Sequence, residues 1–374
     1  MALWGDTPIA EDSSYLSDQL ITYIGNKRSL LGKISSAIER VKRRLNKDRL
    51  RCFDAFSGSG VVSRLLKSHS SFLVSNDLED YAAIIARCYL ANRSDVDTDA
   101  LGNIVDDLNA RVLIEPLPRG FIEEMYSPHD EACITKDDRV FYTKNNARRL
   151  DNYRRMIEEA PQDMRDFLLA PLLSEASIHA NTAGVFKGFY KNRHTKAGQF
   201  GGSGSDALLR IMGDITLDVP VFSNFECEYE VVQEDANIVA RRVSDLDLAY
   251  LDPPYNQHPY GSNYFMLNLL ARYDRPRQIS RVSGIPTDWR RSGYNVRAES
   301  LRLMTDLVQH IDARFLLISF NNEGFISPAA MRAMLDEVGS VEVVEMQYNA
   351  FRGSRSFQKR SIHVTEHLFL VERR

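Results

Sequence analysis

The sequence predicts an α/β fold: an open, largely parallel Rossmann-like sheet with a mainly helical region inserted into it. Three observations predict this. Asp247-Leu248-Ala249-Tyr250-Leu251 is a mostly apolar run of strand length that stops at Asp252-Pro253-Pro254-Tyr255. Cys52–Phe56 is a second such run and enters Ser57-Gly58-Ser59-Gly60, followed by a short helical pattern. From about residue 95 to 222 this strand–helix rhythm fades, and it returns at Glu228.

The Asp252 stretch is a strand end because proline cannot donate to a sheet ladder. Open α/β sheets bind ligands at the C-terminal edges of their strands. There the tetrapeptide offers an acceptor side chain, carbonyls freed from pairing and an aromatic face. That set suits a planar substrate with an exocyclic amine.

The other elements follow in order. Tyr23-Ile24-Gly25-Asn26-Lys27 is a turn ahead of a helix carrying Leu30, Leu31, Ile34, Ile38, Val41 and Leu45 at helical spacing. Lys42, Arg43, Arg44, Lys47, Arg49 and Arg51 cluster at its end, suited to the helix C-terminus or to phosphate. Cys52–Phe56, the Gly58/Gly60 turn and the helix from Val61 form the first unit of a nucleotide-binding fold. Phe72–Asn76 is a second strand ending at Asp77, which lies 17 residues after Gly60, near where such folds place a ribose-binding acid. Asp77 also suits the cap of a helix around Tyr81–Leu90.

In the middle region, Asp137–Pro161 is charged and Asp166–Asn181 reads as a helix. Asn181–Lys196 interleaves basic residues with aromatics, and the following Gly198–Ser205 tract is polar and flexible. It reads either as a solvated linker or as a loop beside a nucleic-acid surface. Glu228–Val232, Arg314–Ser319, Val341–Tyr348 and Ile362–Val371 read as strands. A helix carries Leu301–Ile311, and another starts at Ser327-Pro328 with proline in its first turn.

Composition bounds the function. The 374 residues are 44% hydrophobic and 26% charged, with a net charge of −4, which excludes a uniformly basic nucleic-acid binder but not a local basic patch. The four cysteines are dispersed without a CxxC pair, as expected of reduced thiols. Met1–Ala10 shows no basic start or apolar run of a signal peptide, and no apolar stretch is long enough to cross a bilayer. His363 and His367 share a strand face without a third ligand, so no metal is expected.

Together these motifs resemble N6-adenine DNA methyltransferases of the Dam-type, alpha-group architecture. YIGNK (Tyr23–Lys27) resembles the first cofactor motif, with Asn26 where many members have glycine. DAFSGSG (Asp54–Gly60) resembles the S-adenosylmethionine-binding glycine motif, Asp77 the ribose-binding acid and Glu234-Asp235 the acid beside the cofactor adenine. DPPY resembles the catalytic motif. NQHPYGSNYFMLN (Asn256–Asn268), FYTKNNARRLD (Phe141–Asp151), NTAGVFKGFYK (Asn181–Lys191) and AFRGSRS (Ala350–Ser356) resemble a subgroup among restriction-modification methylases.

The resemblance implies a methyltransferase sheet from 1–94 and 223–374, with 95–222 as an inserted target-recognition domain. It implies S-adenosylmethionine as donor, S-adenosylhomocysteine as product, and Tyr23, Asn26, Lys27, Asp54, Phe56, Ser57, Gly58, Gly60, Asp77, Asp235 and Asp252 as cofactor-binding residues. Asp252, Pro253, Pro254 and Tyr255 would be catalytic. The Asp252 carboxylate and the Pro253 carbonyl would accept hydrogen bonds from N6 of a flipped adenine and reshape its delocalised amine. Tyr255 would stack on the base, with Tyr264 or Phe265 as the other wall. Lys187, Lys191, Arg193, Lys196, Arg352 and Arg355 would contact DNA. The implied partners are double-stranded DNA and a cognate restriction endonuclease. A monomer in the bacterial cytoplasm, at the nucleoid, is expected. N4-cytosine methylation and a catalytically silent DNA-binding module stand as alternatives.

Overall fold

The computed structural model describes residues 10–114, 116–202, 206–349 and 363–374. Strands β1 (Leu50–Asp54), β2 (Ser70–Asn76), β3 (Glu228–Val232), β4 (Leu246–Leu251), β5 (Ala313–Asn321), β6 (Gly339–Asn349) and β7 (His363–Arg373) form one sheet. Its order is β3-β2-β1-β4-β5-β7-β6. The first five strands pair in parallel, and β7 runs antiparallel between β5 and β6. The chain steps outward from β1 through β2 to β3, then restarts on the other side of β1 at β4. That reversal opens a crevice above the C-terminal ends of β1 and β4, where ligands bind in open α/β sheets. The Rossmann-like sheet expected from the sequence is therefore present, and the glycine turn and Asp252 flank its switch point.

The strands were readable because a parallel strand is buried on both faces and becomes a continuous apolar run. Every residue of β4 is buried. Leu248 and Tyr250 join the core layer under the helices Leu31–Leu45 and Val61–His69, while Ala249 and Leu251 join the opposite layer under Arg297–His310 and Pro328–Val338.

A third core is helical. It combines Leu101 and Val105 of Thr98–Val112, Leu150 and Tyr153 of Lys144–Ile157, and Leu168 and Leu172 of Arg165–Ile178. The same core takes in Tyr81 and Ile84 of the helix Asp80–Tyr89, and Phe265 and Leu269 of the helix Phe265–Arg272. The helical region therefore shares its interior with two helices that flank the sheet.

The structure sharpens two readings and corrects a third. The charged stretch 137–161 contains the helix Lys144–Ile157, whose periodicity is masked by arginines turned inward. Arg149 donates to the Ile215 carbonyl at 3.0 Å and to Asp214 at 2.9 Å. Arg154 donates to the carbonyls of Leu270 at 2.9 Å and Ala271 at 3.2 Å, which end the Phe265–Arg272 helix. The Gly198 tract is pinned rather than free as far as Gly202. Asn181 donates to the Val140 carbonyl at 2.7 Å and the Gln199 carbonyl at 2.8 Å, and accepts from Gly201 N at 2.9 Å. The basic cluster after Val41 largely meets carboxylates of the same protein: Lys42 pairs with Glu39 at 3.0 Å, Lys47 with Asp247 at 2.8 Å, and Arg44 with Glu342. Those pairs leave little of it for phosphate.

Candidate active site

The β1 loop is shaped by two left-handed glycines, Gly58 (φ +52°) and Gly60 (φ +76°). A Cβ on Gly58 would lie 3.0 Å from the Tyr23 ring, so the loop backbone rests directly on that side chain. Gly60 starts the helix Val61–His69 and would meet Ile85 at 3.2 Å. It turns the chain and does not line the cleft. Gly58 N–H donates to Asp77 Oδ2 at 2.8 Å, and Glu79 N–H to Asp77 Oδ1 at 3.0 Å. Asp77 thus ties the ends of β1 and β2 together at the cleft, with burial raising its carboxyl above the ordinary range.

Asp54 does not reach the cleft. Its carboxylate is fully buried and accepts from Ser63 Oγ at 2.6 Å. Burial pushes it up to about 7, against the hydrogen bonds from Ser63 and Phe56 N. Asp54 therefore holds the loop from behind instead of facing a ligand. Phe56, Ser57, Asn26 and Asp235 do line the cleft. Asp235 also caps the short helix Ala236–Val239 by accepting from Asn237 N at 2.9 Å.

The opposite end of the cleft holds Asp252. Lys27, only 3% exposed, places its ammonium 3.1 Å from Asp252 Oδ1, 3.1 Å from Glu366 Oε1 and 3.2 Å from the Gly25 carbonyl. Burial opposes the charge on Lys27, but the two carboxylates outweigh it and hold the ammonium well above the ordinary lysine range. Burial raises Asp252 to about 6, with Lys27 pulling down and Glu366 pushing up. Lys27, expected against the cofactor, lines the cleft and pairs with Asp252 there.

The aromatic residues depart from expectation in part. Tyr264 is fully buried, accepts from Ile24 N at 2.7 Å and stacks on Tyr23 with centroids 4.8 Å apart. Phe265 is buried in the helical core. Neither presents a wall to a flipped base, because burial removes both ring faces from the cleft. Tyr260 lies one helical turn earlier, stacks on Tyr23 at 4.9 Å and lines the cleft. Tyr255 is 9% exposed, set edge-on to Phe320 at 5.9 Å. Pro254 lines the cleft beside Asp252, and Pro253 lies between them.

Away from the cleft, Lys191, Arg193 and Lys196 share a tight arm, closed by the Lys191–Gly198 bridge and the Asn192–Ala197 bond. Among the described residues no carboxylate pairs with them or with exposed Lys187. Arg352 and Arg355 lie outside the described residues. No group of metal-ligating side chains occurs among the described residues, and none of the described helices is long and apolar enough to cross a membrane.

The family model for D12 class N6 adenine-specific DNA methyltransferases matches residues 23–334, from the Tyr23 turn into the helix Pro328–Val338. The chain belongs to this family. It is 28% identical over 369 residues to the type II methyltransferase M.NlaIII of Neisseria lactamica, covering 94% of this chain and 99% of that one. It is 30% identical over 360 residues to M.CviAII of Paramecium bursaria Chlorella virus 1, covering 94% and 98%. The modification methylase StsI of Streptococcus sanguinis is 26% identical over 94% of this chain and 52% of its own length.

This D12 methyltransferase is therefore a site-specific enzyme that methylates N6 of adenine in DNA, using a methyl donor. Membership disfavours both the N4-cytosine and the silent-module alternatives. Sequence reading missed Glu79, Tyr260, Arg290, Tyr294 and Glu366. Glu79, Tyr260, Arg290 and Tyr294 line the methyltransferase's cleft. Tyr260 carried a signal, standing four residues before Tyr264 in an aromatic run, whereas Arg290 and Tyr294 come from a loop without periodicity.

Proposed function

We propose that the cleft binds S-adenosylmethionine between the Gly58 loop and Asp77, and receives an adenine flipped from duplex DNA at Asp252. The observation that carries this reading is that the Asp77–Gly58 tie and the Lys27–Asp252 pair open on one cleft at the β1/β4 switch point. The donor set fits such a ligand: Asp77, Glu79, Asp235 and Asp252 give the cleft a negative lining suited to a cation. When bound, S-adenosylmethionine supplies an electrophilic methyl group on a positively charged sulfur.

The residues of the chain do the remaining work. Lys27 occupies Asp252 Oδ1, which leaves the second oxygen to accept from the adenine amine. Together with the Pro253 carbonyl it draws the amine out of conjugation and stabilises positive charge developing on it. Tyr260 takes the wall position expected of Tyr264, whereas Tyr255, expected to stack on the base, is buried edge-on to Phe320. Pyramidalising and positioning the amine shortens the reaction path without an unusually strong base.

Residues 95–222 form the target-recognition region in this reading, with Lys187, Lys191, Arg193 and Lys196, which have no carboxylate partner among the described residues, on phosphates and base edges. A monomer in the bacterial cytoplasm, at the nucleoid, with a cognate restriction endonuclease acting on the same site, completes the proposal. The test is methyl transfer from labelled S-adenosylmethionine to adenine N6 in duplex DNA by the purified protein. Asp252→Ala is expected to lower kcat at least about a hundredfold, the scale of losing one transition-state hydrogen-bond group. A variant that methylates at the unmutated rate would remove Asp252 from the chemistry.

A further inference from the structure

Glu366 stands where the pattern of β7 asks for an apolar residue. Leu368 and Leu370 continue the same face of the strand into the core, and Glu366 is fully buried beside them. Burying a carboxylate is costly, and a well-packed apolar residue often serves stability as well or better. The partners of Glu366 include two donors. Ser319 Oγ on the neighbouring β5 donates to Glu366 Oε1 at 2.5 Å, and Lys27 Nζ lies 3.1 Å from the same oxygen.

Lys27 has three protons and meets three acceptors: the Gly25 carbonyl, Asp252 Oδ1 and Glu366 Oε1. Its position is therefore fully determined, and it fixes Asp252 in turn. Glu366 thereby shares with Asp252 the one ammonium that both carboxylates contact. During transfer, N6 forms its bond to the methyl carbon as the carbon–sulfur bond breaks, sulfur keeps that bonding pair as a neutral thioether, and N6 carries the positive charge until it gives its proton to water. A carboxylate held firmly beside the amine stabilises that charge, most strongly in a site shielded from water.

We propose that Glu366 is a positioning residue for methyl transfer, sharing Lys27 with Asp252 so that the acceptor carboxylate is aimed at the amine. The inference rests on the assignment of Asp252 above. The decisive comparison is Glu366→Gln, which keeps shape and removes charge, against Glu366→Asp, which keeps charge and shortens the side chain.

Glu366→Gln is expected to lower kcat about tenfold to a hundredfold, with cofactor affinity by calorimetry and KM for DNA changed less than about twofold. Glu366→Asp should retain more activity than Glu366→Gln; a purely packing role predicts the reverse order. The pH profile supplies a second readout. The groups facing Asp252 are Lys27, Glu366 on β7, Asp54 on β1, Tyr250 on β4, and Tyr255 and Tyr260 after it. Removing the negative neighbour at 366 should move the acid limb of kcat to lower pH, whereas Lys27→Met should move it higher.

Wild-type kcat and an unmoved limb in Glu366→Gln, alongside an inactive Asp252→Ala, would overturn this proposal and leave the site assignment intact. An active Asp252→Ala would overturn both. If Glu366→Gln does not fold by circular dichroism, Ser319→Ala removes the hydrogen bond that aims the carboxylate. It should lower kcat several-fold with cofactor affinity unchanged, and an unchanged kcat would overturn the proposal.

Discussion

Asp54, Glu79 and Asp252 are acids held above the ordinary carboxylate range within one small volume. Burial pushes Asp54 and Glu79 up to about 7 and Asp252 to about 6, and the charge on Asp77 adds to the rise at Glu79. Each therefore binds its proton more tightly in the folded protein than in the unfolded chain. The stability they contribute is present below about pH 4 and is lost as pH rises through 6 to 7. The ligand-free enzyme should melt several degrees lower at pH 8 than at pH 5.5, as read by scanning calorimetry. Asp54→Asn preserves an acceptor for Ser63 and should reduce that difference; an unchanged pH dependence would return Asp54 to an ordinary carboxyl. The sequence marked Asp54 as a residue of the site. It did not say that the side chain turns inward, because Ser63 and Ser75, which receive it, follow from the fold and not from spacing. Lys27 was likewise readable as a site residue but not as a partner of Asp252 and Glu366, which lie far away along the chain.

Among the elements, the glycine loop makes the sharpest contrast between two uses of one residue. Gly58 has a left-handed backbone and little room for a Cβ, with the Tyr23 ring at 3.0 Å. Gly102, within the helix Thr98–Val112, has nothing within 4 Å of its added Cβ. Gly58→Ala should cost about 1–2 kcal/mol of stability and weaken cofactor binding about tenfold or more by calorimetry, since one energy scale underlies both. Gly102→Ala should instead stabilise by about 0.5–1 kcal/mol in denaturant titration with activity unchanged. The strands around this loop were readable from composition because both of their faces are apolar. The helix Lys144–Ile157 was not, because Arg149 and Arg154 point inward where the hydrophobic pattern asks for aliphatic residues. In the run Tyr260–Phe265 the aromatic content was readable, but which ring would be left open was not. That was settled by the stacking of Tyr260 and Tyr264 against Tyr23, a residue more than two hundred positions away.

At the scale of the whole molecule, positive charge divides into two populations. The arginines and lysines behind the helix Leu31–Leu45 are largely satisfied by carboxylates, whereas the Lys191–Lys196 arm stands without such partners among the described residues. On an acidic protein, a basic arm without carboxylate partners among the described residues suits a polyanion, in keeping with the DNA contact proposed above. Lys191→Ala/Arg193→Ala should therefore weaken DNA binding and reduce the slope of log K against log salt by about two, near one for each phosphate no longer neutralised. Cofactor affinity should stay constant. An unchanged slope would place the DNA elsewhere on the surface.

The core shared by the helical region and the sheet-flanking helices bears on whether the recognition region proposed above can be exchanged as a unit. Arg154 grips the end of the Phe265–Arg272 helix, whose start follows Tyr260 and Tyr264. A graft cut at residues 95 and 222 would sever that interior and leave two half-cores with mismatched surfaces. The natural unit of exchange is larger: it carries Asp80–Tyr89 and Phe265–Arg272 along with the helices between them. Lineages of this architecture are thus expected to alter specificity by substitution on exposed arms more readily than by wholesale replacement of a module.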